Sequence, residues 1–194
     1  AAAIAHAEAQ RAAGADILDL GAESSRPGAV PVPVETEIAR LLPVLKAVRD
    51  WGLPVSVDTT KPAVMRMAID AGAALINDIA ALRTPGALET VAASDVGVCL
   101  MHMQGEPRTM QAEPHYADVV AEVRDFLAAR VADCAAAGIA RERLLIDPGF
   151  GFGKTVAHNY TLLRELARLE NIGVPVLVAA LGRIALGPRR SDDR

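Results

Sequence analysis

The chain has 194 residues, of which 52% are hydrophobic but only 3% aromatic, and its formal net charge is -4. This length suits one domain with a substantial core, and with so few aromatics Ala, Val, Leu and Ile must fill it, as in α/β proteins with parallel strands. The charge excludes a basic footprint for nucleic acid or an anionic membrane, and no apolar run reaches membrane-spanning length, so we expect a cytoplasmic protein that binds any anion through a few placed groups.

The first residues carry Glu8 and Arg11 where a signal peptide would be apolar. Cys99 falls in a strand-like run and Cys134 in a helical one, with no metal spacing, which reads as two buried free thiols in a reducing compartment. The chain starts inside an Ala-rich helical pattern and ends in PRRSDDR, which has no periodicity. Both ends are therefore expected to be cuts in a longer sequence.

In chain order, a helix over 1–14 stops at Gly14 and a strand over 15–22 follows. The polar turn Glu23-Ser24-Ser25-Arg26-Pro27-Gly28 comes next. Apolar residues at helical spacing (Ile38, Leu41, Leu42, Leu45, Val48) predict an amphipathic helix over 36–49 that tolerates Pro43. A strand over 54–57 ends in Asp58-Thr59-Thr60. Pro62 then marks a first helical turn, with Thr60 or Lys61 at the cap, and that helix runs to Gly72. A strand over 74–76 ends at Asn77-Asp78. A helix over 86–94 leads to a strand over 96–101 that enters His102-Met103-Gln104-Gly105, and a long helix over 116–137 is closed by Gly138.

The stretch 144–155 reads LLIDPGFGFGKT. An apolar run cut off by Asp-Pro is a buried strand that delivers a carboxylate, Asp147, at its C-terminal end. Gly149, Gly151 and Gly153 then allow the backbone to approach whatever that carboxylate holds. A Walker A loop is rejected, because its first glycine position is occupied by Pro148. The plain structural alternative is a tight turn with Asp147 as its initiator and Lys154 in solvent. A helix over 159–169 and a strand over 174–180 complete the pattern, and 182–194 is read as an irregular tail of the single domain 1–194.

Six strands alternating with helices imply a parallel sheet with helices outside it. The choice is between an open doubly wound sheet and most of an eight-stranded barrel. Five of the six strands end in groups able to bind something: Glu23 to Arg26, Asp58, Asn77, His102 with Gln104, and Asp147. A doubly wound sheet gathers its site at one switch point, whereas a barrel contributes from nearly every strand end, so the distribution favours the barrel. Asp58, Asn77 and Asp147 suit a flat, nitrogen-rich heterocycle with an amino group and a ring N–H, because such a ligand offers several donors side by side. Ser25 and Arg26 suit phosphate oxygens. Met101, Met103 and Phe152 either face that ring or are plain core.

The set ESSRPG (23–28), VDTTKP (57–62), IND (76–78), MHMQGEP (101–107) and DPGFGFGK (147–154) resembles the dihydropteroate synthase family, in the right order and over nearly the whole chain. The resemblance implies an α/β fold of the (β/α)8 TIM-barrel type, here incomplete with about six of eight strands. It implies a transferase of folate biosynthesis that joins 6-hydroxymethyl-7,8-dihydropterin diphosphate to p-aminobenzoate with release of pyrophosphate and help from Mg²⁺. Arg26, Asp58 and Asp147 would be catalytic. Ser25, Arg26, Pro27, Asp58, Asn77, Met101, Asp147, Phe152 and Arg183 would bind substrates. Intact members are targets of sulfonamide mimics of p-aminobenzoate, and a homodimer is allowed. No metal ligand is assigned, since the family's metal-contacting Asn would lie before residue 1. Where the family carries Gly-x-Ser-Arg-Lys, this chain has Leu181, Gly182 and Arg183, so Arg183 stands in the lysine's place while the serine and arginine have no counterpart. The abrupt divergence near Ala179 resembles a frameshift, and a non-catalytic pterin-binding remnant or partner subunit is the alternative reading.

Overall fold

A computed structural model of the chain describes residues 2–25, 30–107 and 109–179. Arg26, Pro27 and Arg183, and the tail over 182–194, lie outside the described residues. The strands are β1 (Leu18–Gly21), β2 (Val55–Asp58), β3 (Leu75–Asp78), β4 (Gly97–Met101) and β5 (Leu144–Asp147). The helices are α1 (Ala2–Ala12), α2 (Val34–Val48), α3 (Pro62–Asp70), α4 (Ala87–Ala92), α5 (Val119–Ala136), α6 (Val156–Arg164) and α7 (Ala167–Glu170), and a 3-10 turn at Arg141–Arg143 precedes β5.

All five strands pair in parallel, in the order β1-β2-β3-β4-β5. A strictly sequential order has no switch point, so the doubly wound alternative falls and the sheet is part of a barrel wall. Side chains alternate across it. Val57, Ile76, Val98, Leu144 and Ile146 face the helices and are fully buried, joining Leu41, Leu45, Val64, Met65, Leu127 and Leu162 in one core. The other face carries Asp19, Asp58, Asn77, Cys99 and Asp147, and its residues Leu75, Asn77 and Leu145 remain partly exposed. Both cysteines are free and buried, as expected.

Helix boundaries follow their caps. α5 starts at Val119, three residues later than its periodicity suggests, because the Asp118 carboxylate accepts from the amides of Val120 and Ala121 at 3.0 Å each. α6 starts at Val156, three residues early, because Thr155 and His158 form a capping box. Lys61 is the N-cap of α3, with Pro62 in the first turn. The sixth strand is shorter than expected: among the described residues it is a single parallel bridge between Ile146 and Val176. Pro175 accepts from Ile146 but has no N–H to donate, which limits the ladder there.

Candidate functional site

The register explains why separated motifs meet. Gly21 pairs with Asp58, Asp58 with Asn77, Asn77 with Cys99 and Cys99 with Leu145, so these positions form one layer across the inner face. Asp147 lies two residues beyond Leu145 on that face, opposite Met101. Three residues chosen from the sequence, Asp58, Asn77 and Asp147, thus converge on one side of the sheet. Gly21 sits beside Asp58: a Cβ there would be in ordinary contact with the Asp58 side chain at 3.5 Å. The Asn77 amide reaches the Asp19 carboxylate at 3.5 Å, from β3 to β1 across the intervening strand. In a flat sheet those strands stand about 9.6 Å apart, so this contact reports a concave inner face.

Acids crowd this hollow. Burial, then the charges of Asp19, Asp78, Glu37 and Glu23, push Asp58 up to about 7. Burial raises Asp147 to about 6 although the Gly149 amide, at 2.7 Å, and the charge of Lys154 pull the other way. Burial also raises Asp78 to about 6, but its carboxylate is spent on the amides of Ala80 and Leu82, both at 2.8 Å, which hold a turn where Ala81 and Leu82 have positive φ. Asp78 is therefore architectural. Desolvation and the surrounding carboxylates of Asp147, Asp19, Asp58 and Asp78 push the Cys99 thiol up, so it stays protonated.

A cavity of about 330 Å³ opens above Asp58 and is lined by Glu23, Ser24, Ser25, Thr60, Ile79 and Arg83 together with Met103 and Pro107. That size suits a small ligand. Ser25 is thus at the cavity, whereas Asn77, Met101, Asp147 and Phe152 are not among its lining residues. Met101 and Phe152 pack with Ile79, Met103 and Met110 in a buried cluster beside it, with Met103 joining cluster and cavity.

Three strand-end groups counted toward a pocket have other work. One Glu23 oxygen accepts from the Val32 amide at 2.8 Å, and the other takes the Lys61 ammonium at 2.5 Å. Lys61 also holds Glu37 at 2.5 Å, and the fully buried Glu37 accepts from the Thr59 hydroxyl at 2.6 Å. His102 is buried and edge-on to Phe126. Burial, then the charge of Lys154, lowers it to about 3, so it is neutral. Gln104 spends its amide on both backbone groups of His115.

Two glycines of the Gly-rich loop approach another loop closely: a Cβ on Gly153 would lie 2.5 Å from the Gln104 carbonyl oxygen, and one on Gly149 would overlap that of His102. Both glycines have positive φ. Lys154 is not in solvent; it is 3% exposed. The sequence pattern assigned no role to Asp19, placed Lys154 only in solvent, and gave Lys61 a capping position without its Glu37 partner. The available signals were an acid inside the apolar strand DILDL and a lysine closing a glycine-rich turn. Among the described residues no three His, Cys, Asp or Glu side chains converge to hold a metal ion, and no helix is long and apolar enough to cross a membrane.

The sequence model of the pterin binding enzyme family matches residues 1–188. The chain is 49% identical over 186 residues to the dihydropteroate synthase of Escherichia coli K12, covering 95% of this chain and 66% of that protein. The Yersinia pestis dihydropteroate synthase, solved as a sulfonamide drug complex, superposes with a TM-score of 0.89 at 47% identity over 91% of this chain and 64% of that one. The Burkholderia cenocepacia dihydropteroate synthase complexed with 7,8-dihydropteroate gives a TM-score of 0.87 at 50% identity over 95% of this chain and 69% of that one. The chain thus spans slightly less than two thirds of the first two relatives.

Proposed function

The chain belongs to the pterin binding enzyme family, and from that premise we propose that it acts as a dihydropteroate synthase-type transferase, condensing 6-hydroxymethyl-7,8-dihydropterin diphosphate with p-aminobenzoate to give 7,8-dihydropteroate and pyrophosphate. The observation that carries this reading is the layer of Asp58 and Asn77, with Asp147 above it, on one concave face with raised carboxyl pKa values and, among the described residues, no cation hydrogen-bonded to any of the three. Acids in that condition gain most from a ligand that brings its own N–H donors, as the amino and ring N–H edge of a pterin does. The solved complex of the Burkholderia relative contains 7,8-dihydropteroate, the product of this reaction.

In this proposal Asp58, Asn77 and Asp147 hold the pterin edge, Met101 and Phe152 form the apolar wall near the rings, and Ser25 meets the diphosphate at the cavity mouth. Arg26, Pro27 and Arg183, which lie outside the described residues, keep the roles that the resemblance gives them: Arg26 on the leaving diphosphate, Pro27 and Arg183 beside p-aminobenzoate. An aniline nitrogen is already a free nucleophile at neutral pH. It attacks the exocyclic methylene as the C–O bond to diphosphate breaks, so positioning and stabilisation of the leaving charge carry the rate. The Mg²⁺ that the resemblance implies finds no set of ligands among the described residues. It would have to be carried chiefly by the diphosphate. A cytoplasmic location, supported by the two free thiols, and a homodimer belong to the same proposal; sedimentation tests the latter.

Calorimetry with 6-hydroxymethylpterin, followed by p-aminobenzoate, tests the assignment alongside a pyrophosphate-release assay. Asp58→Asn and Asp147→Asn should each weaken pterin binding by about tenfold or more. Absence of pterin binding, or binding indifferent to both substitutions, would refute the reading.

A further inference from the structure

The pterin reading leaves Lys154 without a task. Its Nζ lies 3.0 Å from the carbonyl oxygens of Gly149 and Phe152 in the loop after β5. It lies 3.3 Å from the carbonyl oxygen and 2.9 Å from Nδ1 of His102 in the loop after β4. Four acceptors, two from each loop, surround one ammonium that has three N–H groups to give, and Nδ1 of the neutral His102 accepts. Converging carbonyl dipoles repel one another and are costly to bury unsatisfied, so a cation at their centre is what allows the two backbones to touch. They do touch: neither Gly149 nor Gly153 leaves room for a Cβ against His102 and Gln104. The Tyr116 hydroxyl, donating to the Gly153 carbonyl at 2.8 Å, and the Gly151 amide, donating to Asn159 at 3.0 Å, brace the same loop from outside.

We propose that Lys154 is a positioning residue whose ammonium clasps the loops after β4 and β5 into a single wall, and that this wall, bearing Met103 and Phe152, must be clasped for the pocket to hold a planar ring. The ligand half rests on the function proposed above; the clasp itself does not. The charged groups facing Lys154 are Asp147 on β5, which favours the cation, and His158 on α6 and His102, whose imidazoles its charge lowers. Arg83, between β3 and α4, acts on His102 in the same sense. Burial brings Lys154 down to about 7, against the pull of Asp147, so it sheds its proton near neutrality.

The test is Lys154→Met, which keeps the apolar stem and removes the charge. Hydrogen exchange on the ligand-free protein should rise by about tenfold or more in 102–105 and 149–153 together, with α2 and α3 unchanged. A rise in only one loop, or in neither, overturns the clasp. Should the Met variant not fold, His102→Leu removes a single acceptor and should give a smaller rise, again in both loops. The affinity of the wild type for 6-hydroxymethylpterin should fall as pH rises through about 7, and the Met variant should bind about tenfold more weakly at pH 6 and lack that alkaline decline. Titration of the probe and of Asp58 is common to both proteins, and because the Lys154 charge also acts on Asp147 the comparison is repeated in an Asp147→Asn background; a Met variant that keeps the full decline there overturns the ligand half. If the wild type binds no pterin at any pH, the proposed function fails while the exchange comparison still decides the clasp.

Discussion

Replacing Asp58 by Asn should stabilise this protein at alkaline pH while weakening its ligand binding. Asp58 ionises at about 7 in the fold against an ordinary 3.8, first because of burial and then because Asp19, Asp78, Glu37 and Glu23 surround it. The native state therefore binds more protons than the unfolded chain between those values. The stability this group contributes is fully present below 3.8 and is lost as pH rises through about 7. A displacement of about three pKa units corresponds to roughly 4 kcal/mol. Partial exposure of Asp58 lets solvent screen part of that, leaving about 2 kcal/mol. Asparagine keeps the shape and cannot ionise. The variant should match the wild type near pH 4 and exceed it by about 2 kcal/mol at pH 8, or about 4–8 °C in Tm. Urea unfolding at pH 4, 6 and 8 measures this directly. Asp78 and Asp147 titrate in both proteins, so the difference curve isolates Asp58. A gain that is equal at pH 4 and pH 8, or absent at pH 8, would show that the carboxylate is not under the strain described. Weaker pterin binding alongside higher stability would mark Asp58 as a functional residue kept at a cost in stability.

Two further outcomes follow from the same contacts. Gly153→Ala forces a Cβ to within 2.5 Å of the Gln104 carbonyl oxygen at a positive φ, and should cost about 3 kcal/mol or more in urea unfolding; a cost below about 1 kcal/mol would mean the loops are not interlocked. Lys61→Met strips the buried Glu37 of its cation and leaves it the Thr59 hydroxyl, a loss of about 3–5 kcal/mol. Adding Glu37→Gln should restore part of this, and an additive double variant would argue against the pairing.

The sequence by itself determined the order of the elements, the sites of the strand ends and the identity of the residues that converge. Those features are written locally, as alternating apolar runs ended by Asp58, Asn77 and Asp147, and in a parallel sheet with sequential order every strand delivers its C-terminal residue to the same rim. Motif spacing then identified the family. Only the tertiary structure decided which polar groups the fold consumes for itself. Glu23 and Lys61 are 38 residues apart, and His102 and Lys154 are 52 apart; no local periodicity distinguishes a lysine destined for four buried acceptors from one on a loop in water. The glycines after β5 illustrate the same division. Their need for unusual backbone geometry was legible from residue type, but the other loop they approach was not, because the His102 carbonyl can be buried beside those of Gly149 and Phe152 only with a donor between them, and that donor is the Lys154 ammonium.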